Sequence, residues 1–136
     1  MGPAAFQLTE APRSRPVVLL VEDDDPVREL IRRALAANGF DVMAAASPEE
    51  ALDLAHGGHV DLLLSDVMLP GQNGFQVASQ IRSSSPHVRV VFMSGYFEQA
   101  AAEAANLDIN STILQKPFAM ADLMLHLRAA YAAARR

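Results

Sequence analysis

The 136-residue chain contains no cysteine. Disulfides, zinc–thiolate sites and thiol catalysis are thereby excluded, and the composition suits a reducing compartment. No apolar run is long enough to span a bilayer. The first residues hold Pro3, Pro12 and Pro16 but no basic-then-apolar signal pattern. Nor is there an excess of positive charge. The net charge of −5 argues against a nucleic-acid groove or a membrane-surface patch as the main business. No internal repeat divides the chain. Its length, with 51% hydrophobic and 20% charged residues, fits one domain with a single core.

What is present is an alternation. Val17-Val18-Leu19-Leu20-Val21 is β-branched and wholly apolar, the mark of a buried strand. Glu22, Asp23, Asp24 and Asp25 follow. Asp25 as N-cap, with Pro26 at the first helical position, starts a helix. Its apolar residues Val27, Leu30, Ile31, Ala34 and Leu35 recur at helical spacing, and Asn38-Gly39 stops it. Residues 40–45 make a second strand. Ser47 and Glu50 form a capping box for a helix that dies at Gly57-Gly58.

Leu62-Leu63-Leu64 is apolar without alternation, as in a strand buried on both faces, and it leads to a lone carboxylate, Asp66. Pro70, Gly71 and Gly74 then force a loop. Phe75, Val77, Ala78 and Ile81 mark a third helix, ended by Ser83-Ser84-Ser85-Pro86. Residues 88–93 form a fourth strand that ends on Ser94-Gly95. The Ala-rich stretch 97–107 is helical but lacks large apolar anchors, so it is expected to be loosely held. Residues 112–115 form a fifth strand, ending on Lys116-Pro117. A last amphipathic helix carries Met120, Leu123, Met124, Leu127 and Tyr131, with a poorly capped start at Ala119.

Five strand–helix units in alternation imply an α/β protein, with a parallel sheet covered by helices on both faces and right-handed crossovers. One domain over 16–136 is expected, after a disordered arm or linker over 1–15. With the last helix running to the C-terminus, no second domain is expected.

In such a sheet, ligands bind at the carboxyl ends of the strands. Those ends supply Glu22 and Asp23, Asp66, Ser94 and Lys116. Two unit charges about 4 Å apart repel by roughly 4 kcal/mol at an effective dielectric near 20. A divalent cation or a protonation must therefore relieve the converging acids. All-oxygen ligands point to Mg²⁺ or Mn²⁺ rather than zinc. A cation beside a lysine makes a receptacle for a phosphoryl group, and a carboxylate inside it can act as nucleophile. Asp24 and Asp25 are better read as a solvated turn and cap. His56, His59, His87 and His126 lack metal-ligand spacing and are expected at the surface.

These motifs together resemble the receiver domain of two-component response regulators. Val21-Glu22-Asp23-Asp24 with Pro26 and Arg28, Ser65-Asp66-Val67-Met68-Leu69-Pro70 with Gly74, Phe92-Met93-Ser94-Gly95-Tyr96, and Gln115-Lys116-Pro117-Phe118 carry the resemblance. The variant looks most similar to the C-terminal receivers of hybrid histidine kinases and to single-domain regulators. The resemblance implies a flavodoxin-like sheet of order 2-1-3-4-5. It implies that Asp66 is the phosphoacceptor, Ser94 the switch hydroxyl and Lys116 the phosphoryl-pairing cation. Asp23, Asp66 and the backbone carbonyl of Met68 would bind Mg²⁺, with Glu22 acting through water.

The donor implied is a phosphohistidine on a histidine kinase or histidine phosphotransfer protein. The module would modify itself without being a turnover enzyme, as a cytoplasmic monomer or weak dimer. Its output would be protein contact or onward phosphotransfer.

The chain departs from the family pattern in two respects. Ile113 stands where a Tyr or Phe is frequent, which puts an aromatic rotamer switch in doubt. Met68 and Tyr96 stand where side chains influence dephosphorylation, and neither can readily orient water, so a persistent phosphoryl group is expected. Other readings fit worse. A haloacid dehalogenase-type hydrolase would want an acid where Met68 stands. A flavodoxin would want a hydroxyl- and Gly-rich phosphate loop in place of Glu22-Asp23-Asp24-Asp25. A binding module without phosphorylation would not need all five site side chains.

Overall fold

A computed structural model describes residues 15–107 and 111–134. Most of the arm expected over 1–15, and the terminal Arg135-Arg136, lie outside the described residues. The elements alternate strictly. They are β1 (Val17–Val21), α1 (Asp25–Ala37), β2 (Asp41–Ala45), α2 (Pro48–Gly57), β3 (Leu62–Asp66), α3 (Gly74–Ser84), β4 (Arg89–Ser94), α4 (Phe97–Asn106), β5 (Ser111–Gln115) and α5 (Met120–Ala134). The strands form one five-stranded parallel sheet of order β2-β1-β3-β4-β5. Among the described residues, no helix is long and apolar enough to cross a membrane.

Side-chain alternation splits the core into two layers. Leu19, Val21, Leu63, Val90 and Phe92 face the side covered by α2, α3 and α4, where Phe75, Val77, Ala78 and Ile81 meet them. Val18, Leu20, Leu62, Leu64, Val91 and Met93 face the opposite side, against Ile31 and Leu35 of α1 and Leu123 and Leu127 of α5. The apolar runs are continuous because both faces are buried. Phe75 tilts against Phe92 with ring centroids 4.5 Å apart.

Three local expectations are corrected. The N-cap of α1 is Asp24, not Asp25; its side chain accepts from the Val27 amide at 3.1 Å. Asp25 instead opens the helix and pairs with Arg28 Nη2 at 2.6 Å. Phe40 precedes β2 and is buried in the core rather than paired in the sheet. At α2, Ser47 caps Glu50, but Glu50 reaches past it to the Ala46 amide. The box closes one residue upstream.

The ends of α1 also anchor neighbours. Gly39 takes φ +96°, a conformation that a Cβ would strain, and turns the chain into β2. Arg15 bonds to Asp41 and to the carbonyls of Ala36 and Phe40. Arg128 of α5 lies over the Phe40 ring and donates to the Asn38 carbonyl.

Candidate functional site

The parallel sheet sends all its carboxyl ends to one edge, and the side chains gather there. β1 ends at Val21, and the next residue, Glu22, is buried. Asp24 N–H donates to Glu22 Oε2 at 3.1 Å, while Arg28 Nη1 holds the Glu22 carbonyl at 2.9 Å. The α1 N-terminal turn thus fixes which acid faces inward. Asp23 is exposed beside it. Ligand oxygens of Glu22, Asp23 and Asp66 lie within 4.8 Å of one another.

Asp66 closes β3 and is buried despite its charge. Its two oxygens are used differently. Oδ1 accepts from the Met68 amide at 3.2 Å, and Oδ2 accepts from Lys116 Nζ at 2.8 Å. Lys116 follows β5, and its amide joins the Ser94 carbonyl at 2.8 Å, which locks it in register with β4. The same ammonium stands 3.7 Å from Glu22 Oε1. It therefore bridges the first and third strand ends. The Lys116–Pro117 peptide is cis.

Electrostatics follow from this packing. Burial pushes the Glu22 carboxyl above its ordinary range, and the Asp24 amide and Lys116 only partly offset that push, which Asp66 and Asp23 reinforce. Burial works against the Lys116 ammonium, yet its hydrogen bond to Asp66 and the attraction of Asp66 and Glu22 outweigh it and raise its pKa. Lysine therefore stays charged at neutral pH. Glu22 Oε1 is, among the described residues, a buried side-chain oxygen with no hydrogen-bond partner. An orphaned carboxylate oxygen among hard oxygen donors fits a Mg²⁺ or Mn²⁺ ion better than a softer metal.

Ser94 ends β4 and is buried. Its Oγ accepts from the Tyr96 amide at 2.9 Å, which leaves the hydroxyl proton for another acceptor. Met68 and Tyr96 are both about two-thirds exposed and flank the opening. Ile113 is half-buried and borders a groove of about 310 Å³ shared with Phe97, Ala101 and Ala104. The structure thus brings Glu22, Asp23, Asp66, Ser94 and Lys116 to one sheet edge, with Met68 in the adjoining loop. None of the histidines reaches this edge's acids. His59 and His87 stack on each other instead, with His59 bonded to Asp61.

Two residues that the sequence marked only as a loop former and a motif member pack directly against Asp66. Gly74 opens α3 so close to β3 that a Cβ there would lie 2.4 Å from the Asp66 carbonyl oxygen. Ser65 is fully buried and donates to that same carbonyl at 2.8 Å. The signals for Ser65 were its place in the 65–70 motif and a hydroxyl in an otherwise apolar run.

Fold and site together define a doubly wound α/β protein with an acid–lysine receptacle at its carboxyl edge. The chain belongs to the response regulator receiver domain family, whose model matches residues 18–128. It is 41% identical over 108 residues to the "Sensor kinase CckA" of Brucella abortus (strain 2308), which covers 78% of this chain and 11% of that protein. The solved receiver domain of the hybrid histidine kinase CckA is 33% identical, with a TM-score of 0.72 over 85% of this chain and 98% of that one. The response regulator TrrA of Thermotoga maritima, solved in complex with Mg²⁺-BeF, shares the fold at 24% identity, with a TM-score of 0.76 over 85% of this chain and 98% of that one. The chain spans about a tenth of the sensor kinase's length and about half that of the curated response regulator MprA of Mycolicibacterium vanbaalenii, to which it is 35% identical over 113 residues.

Proposed function

We propose that this receiver domain of two-component signalling takes a phosphoryl group from a phosphohistidine onto Asp66, acting in the cytoplasm. The observation that carries the reading is the Lys116 ammonium, 2.8 Å from Asp66 and 3.7 Å from Glu22. It marks the place where a phosphoryl group would meet a nucleophile, a cation and an acid cluster at once.

An Asp66 oxygen forms the new O–P bond as the donor's N–P bond breaks, and the electron pair returns to the imidazole. Lys116 pairs with one phosphoryl oxygen, and the Ser94 hydroxyl donates to another. A Mg²⁺ or Mn²⁺ ion, when bound, neutralises charge among the acids and on the phosphoryl group. Asp23, Asp66 and the Met68 carbonyl would hold it directly, and Glu22 through water.

The donor is a histidine kinase or histidine phosphotransfer protein. An apolar groove of about 440 Å³ beside Lys116, lined by Val27, Leu30, Ile31, Phe118 and Met120, gives such a protein a surface to rest on while its histidine faces Asp66. The chain modifies itself once and is not a turnover enzyme. Output passes through protein contact or onward phosphotransfer. Neither Met68 nor Tyr96 can orient an attacking water well, so the phosphoryl group should persist for many minutes or longer. A half-life of seconds without an added phosphatase contradicts that slow reset.

The test is intact-mass spectrometry after incubation with a small phosphodonor and Mg²⁺. Wild type should gain one phosphoryl group and Asp66→Asn none. No gain in wild type would instead make the chain a binding module. An equal gain in Asp66→Asn would move the acceptor elsewhere.

A further inference from the structure

The two strands that flank β3, β1 and β4, do not end together at its last residues. The β1–β3 register stops at Val21 with Ser65, so Asp66 has no partner on β1. On the other side, β4 still holds β3, with Asp66 opposite Met93 and the Val67 amide bonded to the Met93 carbonyl at 3.0 Å. The Asp66 carbonyl is thus left at a half-open end of the sheet. A buried carbonyl without a partner is costly.

Ser65 fills that gap. It sits on the sheet face shared with Leu63 and is fully buried. Its Oγ donates to the Asp66 carbonyl at 2.8 Å. Gly74 closes over the same peptide from α3. A Cβ there would lie 3.0 Å from Ser65 Oγ and 2.4 Å from the Asp66 carbonyl, and the Gly74 amide bonds the Val67 carbonyl at 2.9 Å. The peptide joining Asp66 to Val67 is therefore held by β4 and by Ser65, and the next peptide by α3. One peptide beyond Asp66–Val67, the Met68 amide reaches back to Asp66 Oδ1.

We infer that Ser65 is a positioning residue for the acceptor site. Its hydroxyl sets the tilt of the Asp66–Val67 peptide, and through it the aim of the Asp66 carboxylate and of the Met68 carbonyl. Ser65 touches neither cation nor phosphoryl group. It acts through the backbone of the two residues proposed to do so, and the inference rests on the function proposed above.

The test compares wild type, Ser65→Ala and Leu63→Val in the full chain. Leu63→Val removes one methylene from the same buried face and leaves the hydroxyl bond intact. Three quantities are measured: Mg²⁺ affinity by titration calorimetry without phosphodonor, the rate of phosphoryl uptake at saturating Mg²⁺, and the thermal midpoint. Ser65→Ala should weaken Mg²⁺ binding and slow uptake by about threefold to tenfold, the worth of one hydrogen bond. Leu63→Val should lower the midpoint and leave the other two at wild-type values. Wild-type Mg²⁺ affinity and rate in Ser65→Ala would overturn the inference. So would losses in Leu63→Val as large as those in Ser65→Ala, since the effect would then be general loosening. If wild type takes up no phosphoryl group, the proposed function falls, and this inference with it.

Discussion

Helices α3 and α4 follow the two strands that carry Asp66 and Ser94, yet they are built differently. α3 buries Phe75, Val77, Ala78 and Ile81. Its start is a complete capping box, with Asn73 and Gln76 exchanging bonds of 3.0 and 2.8 Å. α4 buries only Ala100 and Ala104, and its cap residue Tyr96 offers no side-chain bond. Full burial of a large apolar side chain is worth about 1.5–3 kcal/mol, and a methyl much less. The strand that ends on the carboxylate is therefore followed by a firmly held helix, and the strand that ends on the hydroxyl by a weakly held one. A rigidly held carboxylate beside a loosely held helix is an arrangement in which a small chemical change can shift one element alone.

The largest effect should come from breaking the firm side. Phe75→Ala removes a ring fully buried against Phe92 and should cost about 3–5 kcal/mol in denaturant unfolding. The matching change on the compliant side, Phe97→Ala, truncates a side chain that is 43% exposed and should cost under about 1 kcal/mol. Equal costs would erase the contrast. Next comes Gly74→Ala. A Cβ 2.4 Å from the Asp66 carbonyl forces that peptide to move, at about 1–3 kcal/mol, and should slow phosphoryl uptake along with the loss of stability.

The acid cluster shows how pH enters. Burial first, and the neighbouring acids after it, raise the Glu22 pKa above its unfolded value of 4.5. A carboxyl raised in this way adds stability below the unfolded value, and that contribution is lost as pH rises through the folded one. Without divalent cation, Glu22→Gln should therefore unfold less readily than wild type at neutral pH and lose that advantage near pH 4. With Mg²⁺ the order at neutral pH should reverse, because the charged Glu22 oxygen gains a partner. Urea midpoints at both pH values, with and without Mg²⁺, check this.

Much of this was legible because buried parallel strands write themselves as unbroken apolar runs. The carboxyl ends followed from the topology, so Glu22, Asp23, Asp66, Ser94 and Lys116 could be gathered from sequence alone. The misreadings were one-residue shifts. Three successive aspartates before Pro26 each qualify as a cap, and only the reach of Asp24 to Val27 and the pairing of Asp25 with Arg28 decide among them. The Asn73–Gln76 box went unread although its spacing was in plain sight. What sequence could not show is set by distances across the sheet. The bridge from Lys116 to Glu22 joins strands that are not neighbours, and the clasp of Ser65 on Asp66 depends on β1 ending one residue early.

The contrast between the helices is sharpened by changes at the caps. Asn73→Ala removes the side chain that accepts from Gln76 and should cost about 1 kcal/mol. Tyr96→Asp supplies α4 with the cap it lacks and should stabilise that helix by a similar amount. Amide exchange reads both effects locally. In wild type, α4 amides should exchange faster than those of α3, and a phosphoryl mimic should change α4 and leave α3 as it was. Tyr96→Asp should slow exchange in α4 before any mimic is added and shrink the response to it. The reason is that the Tyr96 amide now leans on Ser94 Oγ, the hydroxyl proposed to turn toward the phosphoryl group. A helix that no longer depends on that contact has less to gain or lose when the hydroxyl is recruited. If α4 exchange is identical with and without the mimic, the weak helix is only weak, and the state of Asp66 is read elsewhere.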